Sequence, residues 1–522
     1  MEVLLFRRFT RAHFGAHSCL RSLRLQEIHL RTRSNTAHSF PRLISSASAP
    51  HASTTTFASS EDSKAMAQPK DTHSHKDRSK PTHGPIEPGS RPLIALGIET
   101  SCDDTCAAVV TSDRRILSEV LRTQHHLHEP MGGIVPKLAH HAHMRNLPDV
   151  VKEAIQQAGL GERGIQEVDI IAVTRGPGLA HCLGVGLNAA KTLAAALNKP
   201  LIGVHHMEAH ALTARLTTVD PNLVSEGQDG DSATTMTTSK GYVPAGSAPH
   251  PEFPFLTLLV SGGHTLLLVA HSVDRYTTLA TTVDDSIGEA FDKCARQLDI
   301  PWLPGRAGGP GASLEEFAKS SQNPSRYLDQ LPIPMSLRTN KRLMKFSFAG
   351  LKSAVTRIVD QEKASSPTGG MDEEKRRDLA AGFQHCAVTH LCQKVEQGLV
   401  DCHEQGMHIS SLVISGGVGR NATLRSRMDE ICSEFEYKDS SKSNRKASSK
   451  TKNTPQSVPT VALRTRRSVR VICPPPKLCT DNAVMIAWTG LERYQQGLVD
   501  PYDIDIVPKW PLDMLGTGVV PE

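Results

Sequence analysis

The chain has 522 residues, 38% hydrophobic and 4% aromatic, and this composition predicts a soluble α/β protein with more than one domain. No apolar run reaches the roughly 18 residues of a membrane-spanning helix, so no membrane partner is expected, and the eleven cysteines contain no C-x-x-C pair, which disfavours a disulfide framework or a zinc ribbon. The net charge is +5, but residues 1–45 carry +6 and residues 438–470 carry +9, so the rest of the chain carries about −10. That remainder would bind nucleic acid only through a local patch.

The first 45 residues are rich in Arg, Ser and Leu, lack Lys and contain almost no acidic residue. This composition is typical of a mitochondrial transit peptide, so residues 1–45 are predicted to direct the protein to the mitochondrial matrix. A disordered basic tail that binds nucleic acid is the alternative. Residues 46–91 have no apolar period and are predicted to form a disordered linker.

A first lobe is predicted over residues 92–205, where strands alternate with helices. Its predicted elements are strands at 93–99, 106–112, 169–179 and 200–206 and helices at 148–160 and 183–198. The first two strands are joined by a polar bend, and the strand at 169–179 runs into a Gly-Pro turn. This alternation predicts an α/β fold.

A second lobe is predicted over residues 206–515, with a last helix that returns to the first lobe. Its predicted elements are a helix at 207–216, two strands around a glycine turn at 255–271, helices at 288–300 and 374–406, a strand–glycine loop–helix unit at 411–431, a strand at 469–475 and a helix from Asp481 onward. Residues 217–252 and 438–470 have low-complexity sequences and are predicted to be insertions.

Three bends have the composition of phosphate-binding loops. "ETSCDDT" (99–105) follows a strand with hydroxyl groups and two acids, so Asp103 and Asp104 are candidate contacts to water or to a magnesium ion beside a nucleotide. In "LVSGGHT" (259–265) two glycines let the backbone approach a phosphate, and in "SGGVGRNATLR" (415–425) Asn421 is placed to reach a ribose or base. Each bend alone is equally compatible with an ordinary turn. Together they favour the two-lobed fold of actin, hexokinase and Hsp70, with a nucleotide cleft between the lobes.

The stretch "VHHMEAH" (204–210) has the spacing of a metal site. His206 and His210 lie on one face of a helix, one turn apart, which is common for two imidazole ligands of one metal ion. Asp481, at the head of the last helix, is the candidate third ligand. The metalloprotease motif H-E-x-x-H places the general base directly after the first histidine, but Met207 is there, and Glu208 is turned by about 100° on the helix.

The chain resembles the tRNA N6-adenosine threonylcarbamoyltransferases, formerly called the glycoprotease family, and among them the mitochondrial members. The matching segments, in family order over about residues 92–515, are "GIETSCDDT" (97–105), "GGIVPKLAHHAH" (132–143), "TRGPGL" (174–179), "KPLIGVHHMEAH" (199–210), "LLVSGGHT" (258–265), "DDSIGEAFDK" (284–293), "GGPG" (308–311), "FSFAGLKSAV" (346–355), "ISGGVGRNATLR" (414–425) and "CTDNAVMIAW" (479–488).

The resemblance implies an enzyme that transfers the threonylcarbamoyl group of threonylcarbamoyl-AMP to N6 of adenosine 37 in tRNAs that read codons beginning with A. It implies one divalent metal ion per subunit, iron or zinc, held by His206, His210 and Asp481. The substrate contacts that it implies are Leu259, Val260, Ser261, Gly262, Gly263, Asp292, Gly309 and Asn421. Gly308 is an alternative to Gly309, because the loop before it is longer than in the family. Where the family often has a glutamate this chain has Lys137, so no acidic role is assigned there.

The resemblance also implies partners: tRNA, a separate adenylate-forming synthase that supplies the substrate, and a second copy of the chain in a homodimer. The basic segment 438–470 is predicted to be a solvated loop, and contact with tRNA phosphates is the alternative. Two other functions stay open, a metalloprotease and an ATP-dependent chaperone or sugar kinase of the same fold. The first lacks its general base, and the second does not need an H-x-x-x-H pair.

Overall fold

The computed structural model describes residues 91–131, 133–217, 250–301, 309–335, 343–367, 369–435 and 469–517. The predicted transit peptide, nearly all of the predicted linker, most of both insertions and Gly308 lie outside the described residues. No helix in the described part is long and apolar enough to cross a membrane.

The first sheet has five strands in the order β3-β2-β1-β4-β5. They are β1 (Ile94–Glu99), β2 (Asp104–Thr111), β3 (Ile116–Thr123), β4 (Ile170–Gly176) and β5 (Leu201–His205). The central strand β1 pairs antiparallel with β2 and parallel with β4. Nearly every residue of β1 and β2 is buried, because helices cover both faces of the sheet.

The second sheet repeats this plan. Its strands are β6 (Phe255–Val260), β7 (Thr265–Ala270), β8 (Tyr276–Thr282), β9 (Lys345–Phe346), β10 (Ser411–Ser415) and β11 (Arg470–Ile472), in the order β11-β10-β6-β7-β8-β9. The strand β6 pairs antiparallel with β7 and parallel with β10, as β1 does with β2 and β4. Two sheets of one plan confirm the predicted two-lobed α/β fold.

Ten helices cover these sheets within the described ranges. They are α1 (His125–His128), α2 (Pro136–Gln157), α3 (Ala180–Leu197), α4 (His206–Leu216), α5 (Ile287–Gln297), α6 (Pro310–Lys319), α7 (Ala349–Ser365), α8 (Glu373–Glu404), α9 (Ala422–Glu434) and α10 (Ala483–Gln495). The helices α2 and α3 pack on the outer face of the first sheet, and α5 to α9 pack on the outer face of the second. Between the sheets, α4 and α10 contribute to a shared apolar core.

The predicted elements differ from the structure in their boundaries and in their number. The helix expected from Pro148 begins at Pro136, because buried Ala139, Ala142 and His143 anchor its first turns and Pro148 is tolerated inside it. The strand expected from Cys106 begins at Asp104, which shortens the polar bend. The strands β3, β8 and β9 and the helices α1, α6 and α7 were not predicted. The strands β3 and β8 carry many polar residues on partly exposed positions, so they lack the apolar pattern of a buried strand.

Two glycines allow close contacts between elements near the predicted metal ligands. A Cβ atom at Gly97 in β1 would collide with the carbonyl oxygen of Ala483 and lie 2.6 Å from the nitrogen of Ala487, so only glycine lets α10 pack this tightly on the central strand. Gly416, after β10, has φ of 95°, and a Cβ there would lie 2.8 Å from the carbonyl carbon of Val260. These contacts bring the start of α10 and the loop after β10 to the ends of the central strands.

Candidate functional site

The three predicted metal ligands converge. His206 is the first residue of α4, His210 lies one turn later, and Asp481 directly precedes Asn482, the N-cap of α10. The Asn482 side chain accepts a hydrogen bond from the Met485 backbone at 2.9 Å, which fixes the helix start beside α4. The Asp481 Oδ1 atom lies 3.3 Å from His206 Nε2 and 3.2 Å from His210 Nε2.

The two distances from Asp481 to the histidines fit a small divalent cation. In a tetrahedral site with metal–ligand bonds of about 2.0–2.1 Å, neighbouring ligand atoms are about 3.3 Å apart. The ligand atoms of His206, His210 and Asp481 all lie within 4.8 Å of one another, and no other group of three potential ligands was found among the described residues. Two imidazoles and a carboxylate suit either zinc or ferrous iron. About a third of the Asp481 side chain is exposed, which leaves one side open for a substrate atom.

The charges around His206 match a cation site. Burial opposes protonation of His206, but the carboxylates of Asp481 and Glu99 outweigh it and raise the pKa of this histidine. Burial likewise opposes ionisation of Asp481, but His206 and His210 hold the pKa of Asp481 well below its usual value. For His210, burial lowers the pKa, so the neutral ring is favoured. The site thus presents negative charge that a metal ion can neutralise in place of a proton.

Glu99 contacts this cluster, although sequence reasoning did not single it out. It is the last residue of β1 and fully buried, and its Oε2 atom lies 3.2 Å from His206 Nδ1. Burial acts to raise the pKa of Glu99, but the neighbouring His206 holds it below its usual value. An acidic residue that ends an otherwise apolar strand is the signal that could have marked it, because a buried carboxylate needs a partner.

The first predicted bend lies beside the metal ligands and carries the catalytic candidates Asp103 and Asp104. Burial raises the pKa of Asp104 to about 7, and the negative charges of Asp103 and Asp481 add to this effect. One oxygen of Asp104, Oδ1, is buried without a hydrogen-bond partner among the described residues. An ionised carboxylate in this position has a free acceptor for a proton or for a metal-bound water.

His143 of α2 anchors this bend from outside, and sequence reasoning missed this role. Its Nε2 atom lies 3.0 Å from the Cys102 carbonyl oxygen, and its Nδ1 atom lies 2.8 Å from Thr105 Oγ1. Burial lowers the pKa of His143, so the ring is neutral and Nε2 donates while Nδ1 accepts. The early start of α2 therefore holds the acidic bend in place.

The glycine hairpin between β6 and β7 exposes its backbone. Gly262 and Gly263 are exposed, and a Cβ atom added to either would meet no atom within 4 Å. The Ser261 side chain accepts a hydrogen bond from the His264 backbone at 3.0 Å, and the Ser286 hydroxyl, at the N-cap of α5, donates to the Gly262 carbonyl. The loop is thus rigid while its surface is open to a phosphate.

The side chains of Leu259 and Val260, both predicted substrate contacts, are buried in the apolar cores. Only their backbone atoms are therefore available to a ligand. Burial lowers the pKa of His264, in the same hairpin, to about 4, and the charges of His206 and His210 add to this effect.

The remaining predicted contacts lie on the second lobe. The Asp292 Oδ1 atom accepts a hydrogen bond from the Gly311 backbone at 2.7 Å, and a Cβ at Gly309 would lie 3.6 Å from the same oxygen. Asn421 caps α9 through its Oδ1 atom, 2.9 Å from the Leu424 nitrogen. Its Nδ2 atom donates to Gln384 Oε1 at 2.9 Å, so Asn421 keeps one amide hydrogen for a ligand.

Glu208 is directed away from the metal ligands. It is fully buried, with Oε1 and Oε2 at 3.2 and 3.4 Å from Arg493 Nη1. Its carboxylate also accepts a hydrogen bond from the His205 backbone, while the His205 ring accepts from the Met207 backbone and so caps α4. Both residues thus have structural partners, and Glu208 does not stand where a protease needs its base.

Comparisons with known proteins show the family to which this chain belongs. A family model described as tRNA N6-adenosine threonylcarbamoyltransferase matches residues 115–229 and 235–440. A probable mitochondrial tRNA N6-adenosine threonylcarbamoyltransferase of Arabidopsis thaliana is 37% identical, covering 94% of this chain and 86% of its own. The mitochondrial enzyme of Xenopus tropicalis is 35% identical, covering 78% and 84%. The Cereibacter sphaeroides enzyme is 36% identical, covering 83% and 97%. This chain therefore belongs to the tRNA N6-adenosine threonylcarbamoyltransferase family.

Proposed function

We propose that the protein transfers the threonylcarbamoyl group from threonylcarbamoyl-AMP to N6 of adenosine 37 in mitochondrial tRNAs that read codons beginning with A. Membership of the family supports the reaction, and the names of the Arabidopsis and Xenopus relatives support the mitochondrial location. The observation that carries the proposal is the convergence of His206, His210 and Asp481 beside an open glycine hairpin. A metal-binding site next to a phosphate-binding loop suits an acyl-adenylate as the substrate.

The reaction needs no nucleophile from the protein. The N6 amine attacks the carbonyl carbon of the threonylcarbamoyl group, a carbon–nitrogen bond forms, and the carbon–oxygen bond to the phosphate breaks. AMP leaves with that electron pair, and the amine nitrogen gives up one proton. Because the mixed anhydride already has a good leaving group, positioning and charge stabilisation are sufficient.

The predicted site residues have distinct roles in this reaction. The backbone of Ser261, Gly262 and Gly263 binds the phosphate of the adenylate, and Asp292 and Asn421 orient the nucleoside together with the backbone at Leu259, Val260 and Gly309. His206, His210 and Asp481 would hold the divalent ion, iron or zinc, which would supply polarisation of the carbonyl oxygen. Asp104 accepts the amine proton, and Asp103 orders water or a magnesium ion near the phosphate.

The proposed partners follow from the substrates. Threonylcarbamoyl-AMP would come from a separate adenylate-forming synthase, as the resemblance to the family implies. The tRNA is the acceptor. We also propose a homodimer, as the resemblance to mitochondrial members of the family implies.

A direct test supplies purified protein with a tRNA transcript and synthetic threonylcarbamoyl-AMP. We expect one modified adenosine per tRNA, at position 37, by nucleoside mass spectrometry, with AMP released in equal amount. Breakdown of the adenylate without modified tRNA would contradict the transferase. Parallel incubations with casein and with ATP test the two other functions. Chelator-sensitive cleavage that Glu208→Ala abolishes would establish a protease, and ATP hydrolysis by metal-free protein would favour a chaperone or kinase.

A further inference from the structure

We infer that Glu99 is the positioning residue of the metal centre, because its carboxylate selects the tautomer of His206 that directs a lone pair toward Asp481 and His210. The inference deepens the proposed function and rests on the metal-binding role of His206, His210 and Asp481. Glu99 itself contacts no substrate in this account. It acts through the imidazole ring.

The contacts of Glu99 require a donor on His206. The carboxylate is buried, with 1% of the residue exposed, and an ionised carboxylate only accepts hydrogen bonds. The Ser101 backbone nitrogen donates to Oε1 at 2.5 Å, and the Thr174 hydroxyl donates to Oε2. The His206 Nδ1 atom, 3.2 Å from Oε2, is the third contact. A lone pair on that nitrogen would face the carboxylate without a proton between them.

This requirement sets the state of the other ring nitrogen. A neutral imidazole has one N–H group, so a proton on Nδ1 leaves the lone pair on Nε2. The Nε2 atom lies 3.3 Å from Asp481 Oδ1, on the side of the predicted metal ligands. Ser101 Oγ, 3.3 Å from Nδ1, can share the same proton as a second acceptor. A carboxylate behind a metal-bound histidine both fixes the tautomer and makes the ring a better ligand.

The support for His206 comes from the central strands. Glu99 ends β1, and Thr174 lies in the neighbouring strand β4, so both sit on the most buried part of the first sheet. His210 has no comparable support, because its Nδ1 atom is buried without a hydrogen-bond partner among the described residues. The protein therefore orients the His206 ring more firmly than the His210 ring. The contact with Ser101 also connects His206 to the acidic bend.

The test measures the affinity for cobalt(II), a probe for zinc or iron sites with a visible spectrum, in Glu99→Gln. Glutamine keeps the size of the side chain but places an amide N–H₂ group among three donors. We expect about 10–100-fold weaker cobalt binding by chelator competition, together with a changed visible band. Thr174→Val, which removes one of the contacts to Glu99, should weaken binding by a smaller factor. An affinity within twofold of wild type in both variants overturns the inference.

Glu208→Gln is the matched control. Glu208 is as buried as Glu99 and lies two residues after His206, but it contacts Arg493. We expect a lower unfolding temperature for this variant with unchanged cobalt affinity. If Glu99→Gln does not fold, Thr174→Val carries the test alone. If wild-type protein does not bind cobalt, the metal centre in the proposed function is wrong as well. Strong binding by wild type and equally strong binding by the Glu99 and Thr174 variants would refute only the role of Glu99.

Discussion

Two buried glutamates near α4 have opposite relations to the metal ligands. Glu208, three residues after the strand β5 ends, is held by Arg493 and caps the helix, whereas Glu99 contacts the His206 ring from the end of β1. The sequence around His206 suggests a protease only if Glu208 faces the metal, and it does not. The acidic residues near Asp481, Asp103 and Asp104, suit proton transfer and contact with water.

The pKa of Asp104 makes a testable prediction for the pH dependence of transfer. Burial, with the charges of Asp103 and Asp481, raises this pKa to about 7, so the proton-accepting carboxylate forms as the pH rises through that value. We expect kcat/KM for tRNA to fall about tenfold per unit below pH 6 and to level off above pH 8. Asp104→Asn should lower the rate by about 10²–10⁴-fold and abolish this pH dependence.

Asp103→Asn serves as the control for this profile. It removes a negative charge that raises the pKa of Asp104, so the fall in rate should move to lower pH. Transfer by Asp104→Asn with a wild-type pH profile would show that Asp104 is not the proton acceptor.

At the level of elements, the spacing of apolar residues predicted most strands and helices, and the H-x-x-x-H pair predicted the face of α4 that carries the ligands. The spacing of apolar residues did not predict structure that depends on tertiary contacts. The first turns of α2 look polar, but His143 is buried because it bonds to the acidic bend, and Pro148 is kept inside the helix. Asn421, which is predicted to contact the nucleoside, also caps α9 and donates to Gln384, and the sequence does not reveal these structural contacts.

The contact of β1 with α10 predicts a coupling between packing and metal binding. Gly97→Ala should force the start of α10, which follows Asp481, away from β1, because the new methyl group meets the Ala483 and Ala487 backbone. We expect a loss of about 1–3 kcal/mol in the free energy of unfolding, measured in urea. Metal affinity, measured by chelator competition, should fall as well.

Gly350→Ala is the matched control, since Gly350 lies in α7 and a Cβ there meets no atom within 4 Å. It should leave metal affinity unchanged and raise stability by up to about 1 kcal/mol. Equal stability and metal affinity of Gly97→Ala and wild type would contradict the close-packing argument.

At the scale of the whole molecule, the site is assembled from distant parts of the chain. His210 and Asp481 are 271 positions apart, and Glu99 is 107 positions from His206. No periodicity links such positions, so the residues alone could offer Asp481 only as a candidate, and the family resemblance supplied the set. Neither the sequence pattern nor the resemblance singled out Glu99 or Gln384, because their roles depend on the side chains that the fold places beside them.

The contribution of the basic segment 438–470 to tRNA binding can be tested through the salt dependence of the affinity. We expect its solvated charges to contribute little, so deletion should leave the slope of log Kd against log salt concentration unchanged. Each lost phosphate contact would instead reduce the slope by about 0.7–0.9. A variant of equal length with its ten Lys and Arg residues replaced by Ser and Gln separates charge from length. A slope reduced by several such steps in both variants would show that this segment grips the tRNA backbone.

The most direct test of the whole account compares wild type with His206→Ala/His210→Ala in the transfer assay with synthetic threonylcarbamoyl-AMP. Both proteins are analysed for bound metal and for folded structure by circular dichroism. We expect the double variant to be folded, to contain no iron or zinc, and to form at least about 10²-fold less modified adenosine 37 per minute than wild type. Wild-type rates of transfer by the folded, metal-free double variant would contradict it.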